Sequence, residues 1–171
     1  MTVVVSFTSN SVVLREPGPA GPQGIPGPSV RYQAQIIGLP IVTISGIVQN
    51  TYSAVTMSGT FDSTVASGII VGSGFSLRNN TGSTFVFKAS AATEATANNN
   101  ENLGLRLTKN GVTIANSETG GHTGNASTAA LLIAPAYYLE LAHGDEVGLA
   151  VTNFSASVNI SLQRTRLILS V

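Results

Sequence analysis

The sequence lacks cysteine and tryptophan and has few charged residues. None of its 171 residues is cysteine, which excludes disulfide bonds and thiolate metal sites. Only 9% of the residues are charged, well below the roughly 25% of ordinary soluble domains. Hydrophobic residues make up 43% and the formal net charge is zero, whereas disordered chains combine low hydrophobicity with high net charge. The composition therefore indicates a folded chain whose polar surface consists of Ser, Thr, Asn and Gly.

Long apolar runs and clusters of one charge are also missing. The eight basic and eight acidic residues are scattered singly, so no basic stripe could neutralise phosphates or bind an anionic membrane. No run approaches the roughly 18 apolar residues of a membrane helix. The first 16 residues, MTVVVSFTSNSVVLRE, have neither the basic start nor the apolar core of a signal peptide. We therefore expect no nucleic-acid partner, no membrane insertion, and synthesis in the cytoplasm without a signal peptide.

Glycine recurs at every third position between residues 17 and 29. Collagen-like triple helices need this period, because only glycine fits where three polyproline chains meet. A monomeric proline-rich spacer would also be extended, but it does not need the period. We predict a trimeric neck of about 35 Å, at about 3.1 Å per residue. Its residues are Gly18, Gly21, Gly24, Gly27, Pro19, Pro22, Pro26 and Pro28.

The segment before the neck, residues 1–16, is apolar and β-branched. TVVVSFT and SVVL favour two short strands that have nothing local to pack against. A frayed terminus is the alternative, but seven large apolar residues are then left in water. We predict a β-arm that adds strands to a partner protein. The anchoring residues are Val3, Val4, Val5, Phe7, Val12, Val13 and Leu14.

From residue 30 onward the chain consists of short strands separated by turns. Asn110-Gly111 is the strongest hairpin signal, and His143-Gly144-Asp145 marks a second hairpin. Many short strands with regular turns predict an all-β antiparallel sandwich or jelly roll. The predicted strands are 30–37, 41–49, 52–58, 68–77, 84–89, 103–109, 112–116, 127–133, 136–142, 146–152, 157–163 and 165–171.

Two stretches, LRLTKNGVTIANS (105–117) and LLIAPAYYLELAHGDEVGLAVTN (131–153), resemble the globular head of the complement and tumour-necrosis-factor superfamily. The shared motif is a Leu-x-Leu-x-x-Gly-Asp-x-Val hairpin. The resemblance implies a ten-strand jelly roll over residues 30–171 that forms trimers around a three-fold axis and buries aromatic and aliphatic side chains between subunits. A collagen-like neck before the head is also typical of that family. The matching residues here are Leu139, Leu141, Gly144, Asp145 and Val147.

The combination of β-arm, short neck and Ser/Thr/Asn/Gly-rich head also resembles bacteriophage virion appendages. This resemblance implies a homotrimeric, non-enzymatic structural protein on the virion surface: a capsid decoration protein or short head fibre, anchored by its arm to the major capsid protein. A receptor-binding tail-fibre tip is an alternative, with a host-surface glycan as the ligand of the head loops. A second alternative, from a different functional class, is a secreted or cell-surface recognition module that binds carbohydrate or protein.

Candidate catalytic and metal-binding residues are few, and none has a supporting pattern. His143 lies beside Asp145 and Glu146, but adjacent residues in a tight turn seldom orient one another as a catalytic triad requires; His122 lies in another turn. Asp62, Glu94, Glu118 and Asp145 lack the Asp-rich loop of a calcium site. We expect no enzymatic activity, no metal and no cofactor.

Two further features are compositional. N-x-[ST] triplets begin at Asn79, Asn125, Asn153 and Asn159, and in a chain so rich in these residues we interpret them as coincidental. The low-complexity stretch SAATEATANNNEN, residues 90–102, favours an exposed loop at a variable tip. Binding usually resides in such loops.

Overall fold

The computed structural model describes residues 31–38, 41–65, 68–125 and 128–171. These residues form two stacked antiparallel β-sheets, with one short 3₁₀ turn at Ala115–Ser117 and no α-helix among them. The predicted arm (1–16) and neck (17–29) lie outside the described residues. The predicted all-β sandwich is confirmed for the head.

Thirteen strands make up the two sheets. Sheet A has the order β11-β7-β13-β1-β4, with β2 also paired to β13. Sheet B has the order β10-β8-β12-β6-β5, with β3 paired to β12 and β9 to β8. Their bounds are β1 (Gln33–Gly38), β2 (Val42–Ile44), β3 (Ser53–Ala54), β4 (Gly59–Val65), β5 (Ile69–Val71), β6 (Ser76–Asn79), β7 (Phe85–Thr96), β8 (Asn102–Lys109), β9 (Val112–Thr113), β10 (Thr119–His122), β11 (Ala130–Leu141), β12 (Glu146–Asn153) and β13 (Ile160–Ser170).

The core lies between the sheets and follows from alternation along each strand. In β8, Leu103, Leu105 and Leu107 all point inward and are at most 1% exposed. In β7 every second residue from Phe87 is buried, so this strand presents a strictly alternating face to the interior. Burial of Leu-sized side chains contributes about 1.5–3 kcal/mol each. The apolar period of two therefore determines which face of each sheet is internal.

Two predicted strand pairs are single strands interrupted by β-bulges. Residues 127–133 and 136–142 belong largely to β11, whose register against β7 shifts between Ala134 and Tyr137. The intervening Pro135 has no N–H for the ladder, and proline is tolerated at bulges on edge strands. Residues 157–163 and 165–171 belong largely to β13, whose register shifts between Gln163 and Arg166. At Arg164 the backbone φ is 51°, a left-handed conformation that suits a bulge.

The predicted exposed loop at residues 90–102 is wrong over most of its length. Residues 90–96 form the second half of β7, which pairs with β11 on one side and β13 on the other. Alanines 89, 91 and 95 are buried there, so the small side chains fill an interior position. Only residues 97–101 form a turn.

The sandwich has two distinct ends, the base and the tip. At the base the two ends of the described chain lie side by side, because the Val171 N–H donates to the Tyr32 carbonyl over 2.9 Å. The turn that connects β11 to β12 is also at the base. The tip comprises loops 45–52, 97–101 and 154–159. Since β7 runs the full height in twelve residues, base and tip are roughly 40 Å apart.

Candidate functional site

The outward-pointing side chains of β1, β4, β7, β11 and β13 form the sheet A face. Four large apolar residues there are exposed: Val86 (58%), Leu131 (59%), Ile133 (53%) and Tyr138 (67%). They lie on the two neighbouring strands β7 and β11, where Val86 is opposite Glu140. Single exposed apolar residues are ordinary, but grouped ones mark an interaction surface.

Small side chains make a depression in the middle of the sheet A face. Ser90 and Ala92 of β7 lie between the taller Ile133 of β11 and Ile168 of β13. The depression has a volume of about 180 Å³, and Arg166 forms one wall. An apolar side chain of another molecule would fit this space.

A polar strip crosses the same face next to the depression. Arg166 Nε donates to Gln35 Oε1 over 2.7 Å, and Gln35 Nε2 donates to Asp62 Oδ2 over 3.0 Å. These three residues and Gln33 line a second depression of about 210 Å³. The sheet A face thus has its exposed apolar residues on β7 and β11 and a hydrogen-bonded polar strip on β13, β1 and β4.

On the opposite outer surface, the sheet B face, the charged side chains form ion pairs within the described residues, while the buried Arg106 Nε and Thr152 Oγ1 have no hydrogen-bond partner there. The Glu146 carboxylate accepts from the Ser73 N–H (2.9 Å), the Ser73 hydroxyl (2.7 Å) and the Ser76 hydroxyl (2.8 Å), and it pairs with Arg78. Burial alone would raise the pKa of Glu146, but these hydrogen bonds outweigh it and lower the pKa from 4.5 to about 2. The cluster borders a shallow cavity of about 220 Å³. It leaves no carboxylate oxygen unpaired for chemistry.

An aromatic cluster covers the other half of the sheet B face. The Arg106 guanidinium lies 4.3 Å from the Tyr52 ring centroid, and Tyr52 also contacts Phe154 edge-on. The Tyr52 hydroxyl donates to Glu118 Oε2 over 2.7 Å, and Arg106 pairs with the same carboxylate. Burial, followed by the bond to Glu118, raises the pKa of Tyr52 well above its ordinary value. These mutual contacts indicate a packed cover over Gly104.

The hairpin of the predicted family motif lies at the base and has structural contacts. Leu139, Leu141 and Val147 are buried in the core, and Gly144 has a φ of 91°, which favours glycine. Asp145 Oδ2 accepts from the Ala142 N–H over 3.0 Å. The side chains of Asn110 and Lys109 also contact Asp145, and hydrogen bonds from Asn110 and then Lys109 lower its pKa.

The histidines and the calcium candidates are separated in the described residues. His143 Nδ1 accepts from the Gly82 N–H over 3.2 Å, and His122 Nδ1 lies 3.0 Å from Asn102 Oδ1; neither contacts a carboxylate there. No cluster of three or more potential metal-ligating side chains exists in these ranges, and they contain no helix long and apolar enough to cross a membrane. The candidate ligands make separate contacts instead: Asp62 with Gln35, Glu94 with Arg164, Glu118 with Arg106, and Asp145 with Lys109.

The four possible glycosylation sites differ in burial. Asn79 and Asn153 are fully buried and use their side chains to bond backbone groups. A folded head therefore cannot present these two for modification. Asn125 and Asn159 lie in loops.

Sequence reasoning missed the sheet A face. The signal was present in ALLIAPAYYLEL, the sequence of β11, where both alternating sets of residues are apolar. Such a strand is typical of one covered on both sides. The described residues cover only the inner side of β11, and Leu131 and Ile133 point to its outer side.

Comparison with known proteins supports the fold. No protein-family model and no curated protein matches the sequence. Among solved structures, the Eiger TNF of S. frugiperda has a TM-score of 0.52 at 16% identity over 82% of this chain and 91% of that one. Murine APRIL at pH 8.0 has a TM-score of 0.51 at 13% identity over 82% and 98%. The described head is therefore a tumour-necrosis-factor-like jelly roll.

Proposed function

We propose that the protein is a homotrimeric, non-enzymatic structural protein of a phage virion. The observation that supports self-association is the sheet A face, where grouped apolar residues lie on a sheet that is covered on one side only; the virion role rests on the resemblance of arm, neck and head to virion appendages. A second copy of the chain would cover them. The collagen-like period of residues 18–29 supports three as the number of copies, since a triple helix needs three chains.

In the trimer, the arm and the head have separate roles. Residues 1–16 add strands to the major capsid protein, and residues 17–29 form the neck. The chain enters the head at the base, beside Tyr32, and the tip lies at the opposite end. The head therefore projects its tip loops outward as a capsid decoration protein or short head fibre. Three arms strengthen weak single contacts through effective concentration.

Deletion of residues 2–14 tests the anchoring role. We expect a folded, soluble trimeric head that no longer binds virions, because the seven apolar arm residues are gone. Virion binding is measured by co-sedimentation, and oligomeric state by analytical ultracentrifugation. Normal decoration by the truncated protein would contradict the arm as anchor, and a monomeric full-length chain at micromolar concentration would contradict the trimer.

A recognition module is the second candidate function, and the likeness to Eiger TNF and APRIL favours it. In this case the head binds a protein or carbohydrate ligand, as a tail-fibre tip or a secreted protein. Localisation distinguishes the two candidates. Labelling of the protein along the capsid of intact virions supports decoration, whereas labelling at the tail or on the surface of the producing cell supports recognition.

A further inference from the structure

The charged residues divide sharply between paired and unpaired sets. Four ion pairs occur in the described chain: Arg78–Glu146, Arg106–Glu118, Lys109–Asp145 and Arg164–Glu94. Six charged residues in the same ranges have no ion-pair partner there, and four of these lie on the sheet A face. The four are Asp62, Lys88, Glu140 and Arg166.

The two signs are balanced on this face: the acids Glu140 and Asp62 lie on the outer strands β11 and β4, and the bases Lys88 and Arg166 lie on the inner strands β7 and β13. Glu140 lies on the edge strand β11, and Arg166 lies on β13 in the middle of the sheet. Only the Nε of Arg166 has a partner within the described residues, namely Gln35. Its two terminal nitrogens, four N–H donors in all, are left without one. A guanidinium with unpaired donors is strongly unfavourable when another protein covers it, unless a carboxylate of that protein pairs with it.

Glu140 is the acid with a free carboxylate. Asp62 already accepts from Gln35, which links it to Arg166 of its own chain. The Glu140 side chain makes no hydrogen bond or ion pair in the described residues and is exposed. It also lies on the strand that carries Leu131, Ile133 and Tyr138. In a cyclic trimer each contact joins two different patches, so Glu140 of one copy can pair with Arg166 of the next.

We propose that Glu140 of one copy forms an ion pair with Arg166 of the neighbouring copy. This inference rests on the proposed homotrimer and names the residues that set its register. A bidentate carboxylate–guanidinium pair would occupy both terminal nitrogens of Arg166. The surrounding apolar residues supply the surface that is buried between the two copies. The ion pair selects one alignment of the edge strand on the facing sheet.

Charge reversal tests the pair in the full-length protein. Arg166→Glu and Glu140→Arg should each raise the dissociation constant of the trimer on the order of 100-fold, because each places like charges together. The double variant Arg166→Glu/Glu140→Arg should recover most of the loss. Sedimentation velocity measures assembly, and far-UV circular dichroism verifies that each variant contains folded heads.

The outcomes separate this inference from the proposed function. Rescue by the double variant supports the pair. If the parent protein is trimeric but the double variant Arg166→Glu/Glu140→Arg does not recover assembly, the ion pair is overturned and the trimer stands. Recovery by Arg166→Glu/Asp62→Arg instead would lead to the same conclusion. A monomeric parent overturns both. If a single variant fails to fold, recovery of a folded trimer in the double variant still decides in favour of the pair.

Discussion

The two outer faces of the sandwich differ in how they satisfy their own side chains. On the sheet B face, Glu146 and Glu118 are bonded by neighbouring serines, arginines and Tyr52. On the sheet A face, Leu131, Ile133 and Tyr138 are exposed, and Arg166 is only partly bonded. Sheet B pairs its charged groups within one chain, although Arg106 Nε and Thr152 Oγ1 lack hydrogen-bond partners in the described residues. The exposed apolar group on sheet A would gain stability from a partner. This comparison is the reason for proposing sheet A, and not sheet B, as the assembly surface.

The largest expected effect is on assembly. Ile133→Glu places an unpaired carboxylate in the sheet A face, which should cost about 3–5 kcal/mol when that face is covered. We expect the trimer to dissociate, with a dissociation constant raised more than about 100-fold. Val112→Glu is the matched control, because Val112 is 71% exposed on β9 of sheet B. Equal weakening by both changes in sedimentation experiments would contradict the comparison.

The next largest effect is on the free energy of unfolding at acid pH, and it comes from Glu146 on the sheet B face. The pKa of Glu146 is about 2 in the folded chain and 4.5 when the carboxyl is free of its contacts there. The difference limits the stabilisation of the fold by the ionised carboxylate to about 3 kcal/mol. Because the folded pKa is the lower one, this stabilisation is complete above pH 4.5 and is lost as pH falls towards 2. Glu146→Gln should lower the free energy of unfolding by about 1–3 kcal/mol at pH 7 and flatten its fall between pH 4.5 and 2.

Denaturant unfolding at a fixed protein concentration measures this pH dependence. Glu94→Gln is the control, since its partner Arg164 is 77% exposed and such pairs contribute little. An unchanged pH profile in Glu146→Gln would show that the Ser73 and Ser76 bonds do not stabilise the fold.

A third effect tests the close packing on sheet B. A Cβ at Gly104 would lie 2.7 Å from the Phe154 ring and 2.8 Å from the Tyr52 hydroxyl oxygen. Gly104→Ala should therefore displace the aromatic cover and cost about 1–3 kcal/mol. Gly120 lies opposite Gly104 in the β8–β10 ladder, and a Cβ there would be 3.5 Å from its nearest atom. Thermal melts in which Gly120→Ala is as destabilising as Gly104→Ala would argue against this packing.

The smallest effect concerns the only ion pair of sheet A in the described residues. Arg164→Ala removes the contact with Glu94 and should change stability by no more than about 0.5 kcal/mol. Arg164→Gly should be more stable than Arg164→Ala by about 1 kcal/mol, because φ at this bulge is 51° and alanine is strained there. Equal stability of the two variants would indicate that the bulge carries no backbone strain.

Local signals in the sequence were sufficient where a turn depends on residue type. Asn110 and Gly111 both have positive φ, 50° and 79°, as a two-residue hairpin of this kind requires. The Gly144 turn was likewise predictable. By contrast, residues 90–96 appeared loop-like because alanine and glutamate are depleted in strands and outnumber the two threonines. Their conformation is determined by pairing with strands about 40 and 70 residues later.

The candidate site was predictable only in part. The resemblance to trimeric heads implied a buried contact between subunits, but the sequence did not indicate which sheet makes it. The sheet A face brings together residues such as Gln35, Ile133 and Arg166, which are far apart in the chain. Their proximity depends on the order of strands in sheet A, which short-range patterns do not encode.

The position of β13 has a consequence for how the head folds. This strand, formed by the last residues of the chain, lies between β7 and β1 in the middle of sheet A and also pairs with β2. Sheet A cannot close until residues 160–170 have been synthesised and are clear of the ribosome. With so many pairings distant in sequence, folding should be slow, and β7 stays open to unwanted strand pairing until β13 arrives. A nascent head is therefore most prone to aggregation before residues 160–170 have emerged.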